Sequence, residues 1–556
     1  MTPRVGTKSL ASDMTYMATT GIGPRKYMSC SSSTNSDVFS STKPIPNPSD
    51  YGLSSSRGFL PHETPLSRLP DPYYHKWEDV VSNLQALILS GRIRAVVDTL
   101  PILSTVGLES EAEWRRAYSL LCFIAHAYIW TGDQPLDRLP RPISLPLQNV
   151  SRHLQLPPVA TYAALCLWNF KQIFEDESID DIENLKTLST FTGSIDESWF
   201  YLVSIAIELR GASTVPLMLG AIGAARDGDV ATVRHCLHEF AKSLRGLIEI
   251  LQRIHDNCDP TIFYNRIRPF LAGSKNMAEA GLPLGVFYEE SDDTSGRYHQ
   301  YSGGSNAQSS LIQFFDIVLG VEHLATSDNS RTSELKDSTK ADGTSVVVSI
   351  SHESKSRSSN NNFILEMRDY MPGPHARFLA DVAAVANISQ FVHSRPAEKE
   401  LCQAYDACLA TLSAFRDKHI AIVYRYVVMP SRSRPNAAYE ATGGVTDVRP
   451  RLNLATSSTR RVQSSTDDVK YTGTGGTSLM PFLRQVRDET AEPAVSEVTR
   501  RFLTRRQSTA PGQAYSNTQL NRAHSDNGFG TAHPGRVLGL AKLWTLDDDV
   551  GGLCHS

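Results

Sequence analysis

An all-α fold is the expectation from three features of the sequence. Long stretches place apolar residues three and four positions apart, the repeat of a helix with one buried face. Only SVVVSISH, residues 345–352, alternates clearly as a half-buried strand does. No repeat with the period of a solenoid runs along the chain. The chain has 556 residues, 40% hydrophobic and 21% charged, and both ends are rich in Ser, Thr, Pro and Gly. Residues 1–55 and 495–556 are therefore expected to be disordered tails. Between them we expect a smaller helical domain over 56–190 and a larger one over 191–494, with insertions at about 325–361 and 431–471.

The elements follow in order. WEDVVSNLQALILSGRIRAVVDTLPIL and EAEWRRAYSLLCFIAHAYIW carry the helical repeat in the first domain. The Pro/Leu-rich segment DRLPRPISLPLQNVSRHLQLPP is predicted to be a connector wrapped over a surface, because proline is disfavoured inside helices. TYAALCLWNFKQ, SWFYLVSIAIELRG and DVATVRHCLHEFAKSLRGLIEILQRIHD are predicted to be three further helices. The apolar stretch near 201–225 is interrupted by Glu208, Arg210 and Pro216, so no membrane span is expected from it.

Charge and cysteine usage narrow the function classes. Lys and Arg total 55 against 59 Asp and Glu, a net charge of −4, which lacks the basic footprint of a nucleic-acid binder or a polybasic membrane anchor. The 8 cysteines include no C-x-x-C pair and mostly sit in apolar stretches, as reduced thiols do. His235, Cys236 and His238 cluster, but no second Cys/His pair completes a zinc site. Residues 1–50 contain no apolar segment of the secretory kind. Arg4, Lys8, Arg25 and Lys26 among hydroxyl residues resemble a mitochondrial presequence, but Gly and Pro interrupt any helix there. A cytoplasmic location is the expectation.

Four groups of residues could carry chemistry. In KELCQAYDACLATLSAFRDKHIAIVYRYV, residues 399–427, His419 shares one face with Leu401, Tyr405, Cys408, Leu412, Phe415, Ile422 and Tyr426. A histidine on such a stripe is either a core imidazole bonded to a carbonyl or carboxylate, or a ligand of a buried metal or haem. His126 stands in a similar helix and is its internal rival. Arg416, one turn before His419, either faces the same pocket edge or is solvated. Two glycine-rich segments, with Gly303, Gly304 and Ser305 and with Gly473, Thr474, Gly475 and Gly476, precede helices. Neither matches a P-loop or a dinucleotide fingerprint; they are ordinary capped loops or backbone that approaches a flat ligand. Finally, Arg266 and Arg268 lie among Phe263, Tyr264, Ile267 and Phe270, an arrangement that suits an aromatic carboxylate or a snorkelling surface.

Together these segments resemble the indoleamine 2,3-dioxygenase family. GFLPHETPLSRLPDPYYHKWE, LPPVATYAALCLWNF, IHDNCDPTIFYNRIRPFLAG, GGSNAQSSLIQFFDIVLG, MRDYMPGPHARFLADV, AYDACLATLSAFRDKHIAIVYRYV and GTGGTSLMPFLRQVRDET carry the resemblance, from about residue 58 to about 490. It implies a small helical domain over a larger haem-binding one, and one haem b with His419 as the iron ligand. Arg416 would face a haem propionate, with Gly304 and Ser305 over the haem edge. Phe263, Arg268 and Ser204 would serve the reaction, Arg268 on the substrate carboxylate. Tyr162, Phe200 and Tyr201 would line the distal pocket, and Thr474 and Gly475 the loop that closes on substrate.

The implied reaction is cleavage of the indole C2–C3 bond of L-tryptophan, or of a related indoleamine, by O2 to give N-formyl-L-kynurenine. An unidentified reductant would keep the iron ferrous, and the chain would act as a monomer without nucleic acid or membrane. Ser204 stands where the related tryptophan 2,3-dioxygenases carry a distal histidine. Tyr201 and Asn306 put polar groups where the family pattern has phenylalanine and alanine, and Leu165 replaces a cysteine. A haem-binding sensor of the same fold, with little turnover, is the alternative.

Overall fold

The computed structural model describes residues 43–290, 295–325, 362–432, 473–474, 478–505, 536–538 and 543–545. These are mostly helical, and the core is continuous from Leu53 to Ala494. The central helix α1, Glu111–Trp130, begins in a capping box: the Ser110 hydroxyl accepts from the Glu113 amide and donates to its carboxylate at 2.9 Å. Every residue from Arg116 to Trp130 is buried, as a helix that is apolar all round must be.

The segment expected to wrap as a connector is instead helix α2, Arg141–Leu154. Pro142 stands in its first turn, where an amide needs no helical partner, and Pro146 gives up one internal hydrogen bond. Burial of Ile143, Pro146, Leu147, Val150 and Leu154 along one face outweighs that loss. The opposite correction applies to TYAALCLWNFKQ. Only a π-helical turn, Ala163–Leu167, forms there, and the chain passes into strand Phe170–Gln172, which pairs antiparallel with Leu185–Thr187. A second small sheet joins Arg138–Leu139, Val286–Glu289 and Gly296–His299. The alternating segment 345–352 and Gly475 lie outside the described residues.

Helices α3, Ile195–Gly211, α4, Thr214–Asp227, and α5, Val230–Gln252, form the next layer. Ser194 and Asp229 cap the first and last of them, and Gly228, at φ +77°, ends the middle one. The stretch Ile195–Asp227 is long and apolar enough to cross a membrane by composition, and 78% of its apolar window is buried in the protein. The short helix α6, Ser310–Leu319, starts at the Ser309 cap. Helix α7, Lys399–Val423, packs chiefly on α5, and α8, Leu479–Glu489, on α7. Beyond it the Asp406 carboxylate accepts from the amides of Val495 and Ser496, and residues Glu497–Arg505 are helical.

Arg116 on α1 forms a fully buried, two-pronged pair with Glu78, at 3.0 and 2.6 Å, and Glu78 also accepts from the Leu69 amide. Arg116→Met leaves a buried carboxylate without its cation, so it should cost about 3–5 kcal/mol of unfolding free energy in a urea titration. A loss below about 1 kcal/mol would show that Glu78 is satisfied without the arginine.

Candidate functional site

A cavity of about 270 Å³ opens between α3, α6, α7 and α8. Three π-helical turns feed it: Ala163–Leu167 brings Leu165 and Cys166, Phe263–Ile267 brings Phe263, and Tyr424–Val428 brings Tyr426 and Val427. An inserted residue in each turn shifts the helical phase and aims side chains that a regular helix would direct elsewhere.

Tyr162, Phe200, Tyr201, Ser204, Phe263, Arg268, Gly304, Ser305, Arg416, His419 and Thr474 all line this one cavity. Sequence positions more than 300 apart are thus brought together. Burial separates the two arginines: Arg266 is exposed, whereas Arg268 is 2% exposed with its guanidinium 5.9 Å from the Tyr264 ring. Burial lowers the Arg268 pKa to about 10, which leaves it cationic at neutral pH. Phe200 and Phe263 pack at 4.7 Å, and Phe263 meets Tyr426 edge-on at 5.8 Å.

His419 is the imidazole open to the cavity. Neither ring nitrogen has a hydrogen-bond partner among the described residues. Burial, and then the neighbouring Arg416 charge, lower its pKa to about 4, so it is neutral with a lone pair to offer. His126, its rival in the sequence, is fully used. Its Nε2 accepts from the Ala160 amide at 2.9 Å, which requires the proton on Nδ1, and Nδ1 donates to the Phe270 carbonyl at 2.7 Å. His126 therefore ties the segment leading to Tyr162 to the segment carrying Arg268. Sequence reading did not assign it that task, because both partners are backbone groups.

Arg416 reaches the cavity edge already paired. Its Nη2 donates to both Asp316 oxygens, at 2.6 and 2.8 Å, and its Nη1 donates to the Thr490 hydroxyl. Burial raises the Asp316 carboxyl, but Arg416 and His323 outweigh it and hold it below the usual range. His323 in turn bridges Asp316 at 3.1 Å and Glu489 at 2.7 Å.

The glycine loops meet each other. Thr474 donates from its hydroxyl to Gly304 O at 2.9 Å and accepts at its carbonyl from Gly303 N at 3.1 Å. A Cβ on Gly303 would lie 2.1 Å from Leu271 O, so only glycine fits that backbone approach. Ser305 caps a short turn rather than the helix, whose cap is Ser309. Tyr201 corrects one expectation. Its ring lines the cavity, but its hydroxyl donates to Glu197 at 3.0 Å, a buried carboxylate outside the lining. Asn306 lies exposed on the rim.

A neutral unpartnered imidazole, a largely apolar lining, aromatic rings and an arginine at the edge fit a haem, with His419 as the iron ligand. The chemistry open to such a site is redox chemistry on an aromatic ligand that carries an anionic group.

The sequence profile described as indoleamine 2,3-dioxygenase matches residues 47–493. An indoleamine 2,3-dioxygenase of Aspergillus nanangensis is 38% identical over 446 residues, 79% of this chain and 95% of the relative. The Saccharomyces cerevisiae indoleamine 2,3-dioxygenase is 39% identical over 84% of this chain and 98% of its own length. A 6-hydroxytryptophan 2,3-dioxygenase of Fusarium equiseti is 36% identical over 80% and 96%.

The bonds of His126 make a pH test. Burial lowers its pKa from 6.5 to about 4, so between those values the folded chain binds fewer protons than the unfolded one. Its contribution is full above pH 6.5 and is lost as pH falls toward 4, about 3 kcal/mol in all. His375 and His419, whose pKa values loss of solvent also lowers, tilt stability the same way. The difference between wild type and His126→Gln isolates this one ring, and it should shrink by about 3 kcal/mol from pH 7 to 4 in urea unfolding. A constant difference would remove His126 as a neutral tie.

Proposed function

Because this chain belongs to the indoleamine 2,3-dioxygenase family and is an oxidoreductase, we propose that it opens the indole ring of L-tryptophan at C2–C3 with O2, giving N-formyl-L-kynurenine. The observation that carries the reading is His419, neutral and unpartnered among the described residues, in one cavity with buried cationic Arg268. Haem, when bound, supplies the electronic route by which ground-state O2 reacts with a closed-shell indole.

The residues do the rest by holding the reactants. His419 on α7 would hold the iron, and Arg416, which lines the same cavity, would meet a propionate. Arg268 takes the substrate carboxylate in a charge-assisted pair. Decarboxylation of the substrate would leave only its amine, a second cation beside a cation already deprived of solvent, so a carboxylate-bearing indole is favoured. Phe200, Phe263 and the Tyr201 ring confine the indole plane, and Ser204 supplies the hydroxyl nearest to a distal base. Among the described lining residues His419 is the sole histidine. Thr474 fastens its loop to Gly303 and Gly304 and thereby limits water at that edge. One relative is named a 6-hydroxytryptophan 2,3-dioxygenase, and Asn306 on the rim would offer such a substituted ring an amide.

Three outcomes test this. Purified, haem-loaded, reduced protein given L-tryptophan and air should form N-formylkynurenine in proportion to enzyme and O2; no product at full haem occupancy would move the function to another indole or to haem sensing. His419→Ala should lose the Soret band and stable haem incorporation, and an unchanged band would sink the ligand assignment. Arg268→Ala should weaken substrate binding by about 10- to 100-fold, equivalent to ~1.5–3 kcal/mol for a bond to a charged group, read as KM; an unchanged KM would refute its carboxylate role.

A further inference from the structure

Glu208 lies on α3, one turn beyond Ser204, and is 1% exposed. Its Oε1 accepts from the Tyr162 hydroxyl at 3.1 Å and from the Ser309 hydroxyl at 2.7 Å. Its Oε2 is buried with no hydrogen-bond partner among the described residues. A carboxyl half satisfied in the interior is costly in its charged form. Nothing in the proposed reaction uses it.

The two donors belong to the cavity wall. Tyr162 and Ser309 both line it. The Tyr162 amide donates to Gln308 Oε1 at 2.8 Å, and the Gln308 amide donates to Gly303 O at 2.9 Å. The Ser309 hydroxyl also accepts from the Ile312 amide and so caps α6. One carboxyl thus joins α3, the turn that carries Tyr162 and Leu165, and the glycine loop that leads into α6.

We infer that Glu208 is a positioning residue whose protonation state sets how firmly Tyr162 and Ser309 hold this wall, so that indole binding follows it. The inference rests on the reading of the cavity as an indole site. Ionised, Glu208 receives two charge-assisted bonds; protonated on Oε2, it offers the same donors a neutral carbonyl oxygen and holds them more weakly. Burial pushes its pKa up to about 7, with the two hydroxyls pulling it partly back. The titratable groups that face it are Tyr162 and Cys166, both raised by burial and neutral at physiological pH. No charged side chain from the helices packed on α3 acts on it.

Indole is the probe, because it has no ionisable group near neutrality and a pH step in its binding belongs to the protein. With haem-loaded full chain in equilibrium dialysis, the wild-type Kd should weaken about fivefold between pH 8 and pH 6, the difference between charged and neutral acceptance, with a midpoint near 7. Glu208→Gln still accepts both hydroxyls but cannot ionise, so its profile should be flat at the weaker value. Tyr162→Phe, with Glu208 in place, should shrink the step, which guards against a Gln variant that fails to fold. A step that survives in Glu208→Gln would assign it elsewhere, to His323 or His255, and overturn the role, as would a flat wild-type profile. Wild-type protein that binds no indole at any pH would overturn the indole reading itself, and this inference with it.

Discussion

The structure is organised around an imidazole left without a partner in an apolar wall. A polar group with nothing to bond to in an apolar wall is normally a defect, and keeping the half-buried His419 in that state demands a rigid frame. The frame is ionic. Immediately before His419 on α7, Arg416 is clamped by Asp316 on α6 and by Thr490 at the end of α8, while Asp417 takes Arg487 of α8 at 3.0 Å. Adjacent residues of opposite charge grip helices on either side, and the turn carrying His419 is thereby fixed in depth and rotation. The buried half of this clamp is worth more than its surface counterpart, since removal of one partner strands a charge. His323 and Glu489 extend it outward and complete the acceptance of Asp316.

The same economy of polarity governs the other walls. Tyr201 and Tyr162 present ring carbons to the cavity and anchor their hydroxyls on Glu197 and Glu208. Glu197 is saturated, accepting from the amides of Phe191 and Thr192 and from the Thr192 hydroxyl. Glu208 is not. The wall at these two positions thus stays apolar on its inner surface while hydrogen bonds just behind it fix the rings of Tyr162 and Tyr201. Such an interior suits a flat, poorly solvated ligand, and buried Arg268 adds a positive charge to its wall. Tyrosine in place of phenylalanine at 201 therefore adds rigidity to the wall without adding polarity to the pocket.

What the sequence makes legible is set by the range of the forces concerned. Periodicity reports burial along one element, so α1, α3, α5 and α7 are readable, and so is the all-α class. Arg141–Leu154 was hidden because proline propensity is local, whereas the burial that overrides it comes from packing. The segment 163–167 looks like a regular helix in sequence for a related reason. Its apolar run is continuous, and nothing in the composition marks a π-turn. The cavity residues were reachable mainly through the resemblance of several motifs in order. Glu208, Gln308 and Asp316 escape sequence reading because the partners that join them to the cavity wall, Tyr162 for the first two and Arg416 for the third, lie 46 to 146 residues away in the chain, beyond any motif window.

The two inward-facing histidines show where pattern ends and geometry begins. His126 and His419 both lie in apolar helices, both are neutral, and burial drives both to a pKa of about 4. Composition, spacing and protonation give no reason to prefer either as an iron ligand. The difference is what their nitrogens meet. Backbone groups of Ala160 and Phe270 consume both nitrogens of His126, which fixes its tautomer and removes its lone pair from any metal. His419 meets a cavity. Ligation requires an unengaged lone pair directed into space large enough for the ligand, and only three-dimensional neighbours supply or deny that. The engaged histidine is no less necessary, since it joins the two segments from which Tyr162 and Arg268 reach the same cavity.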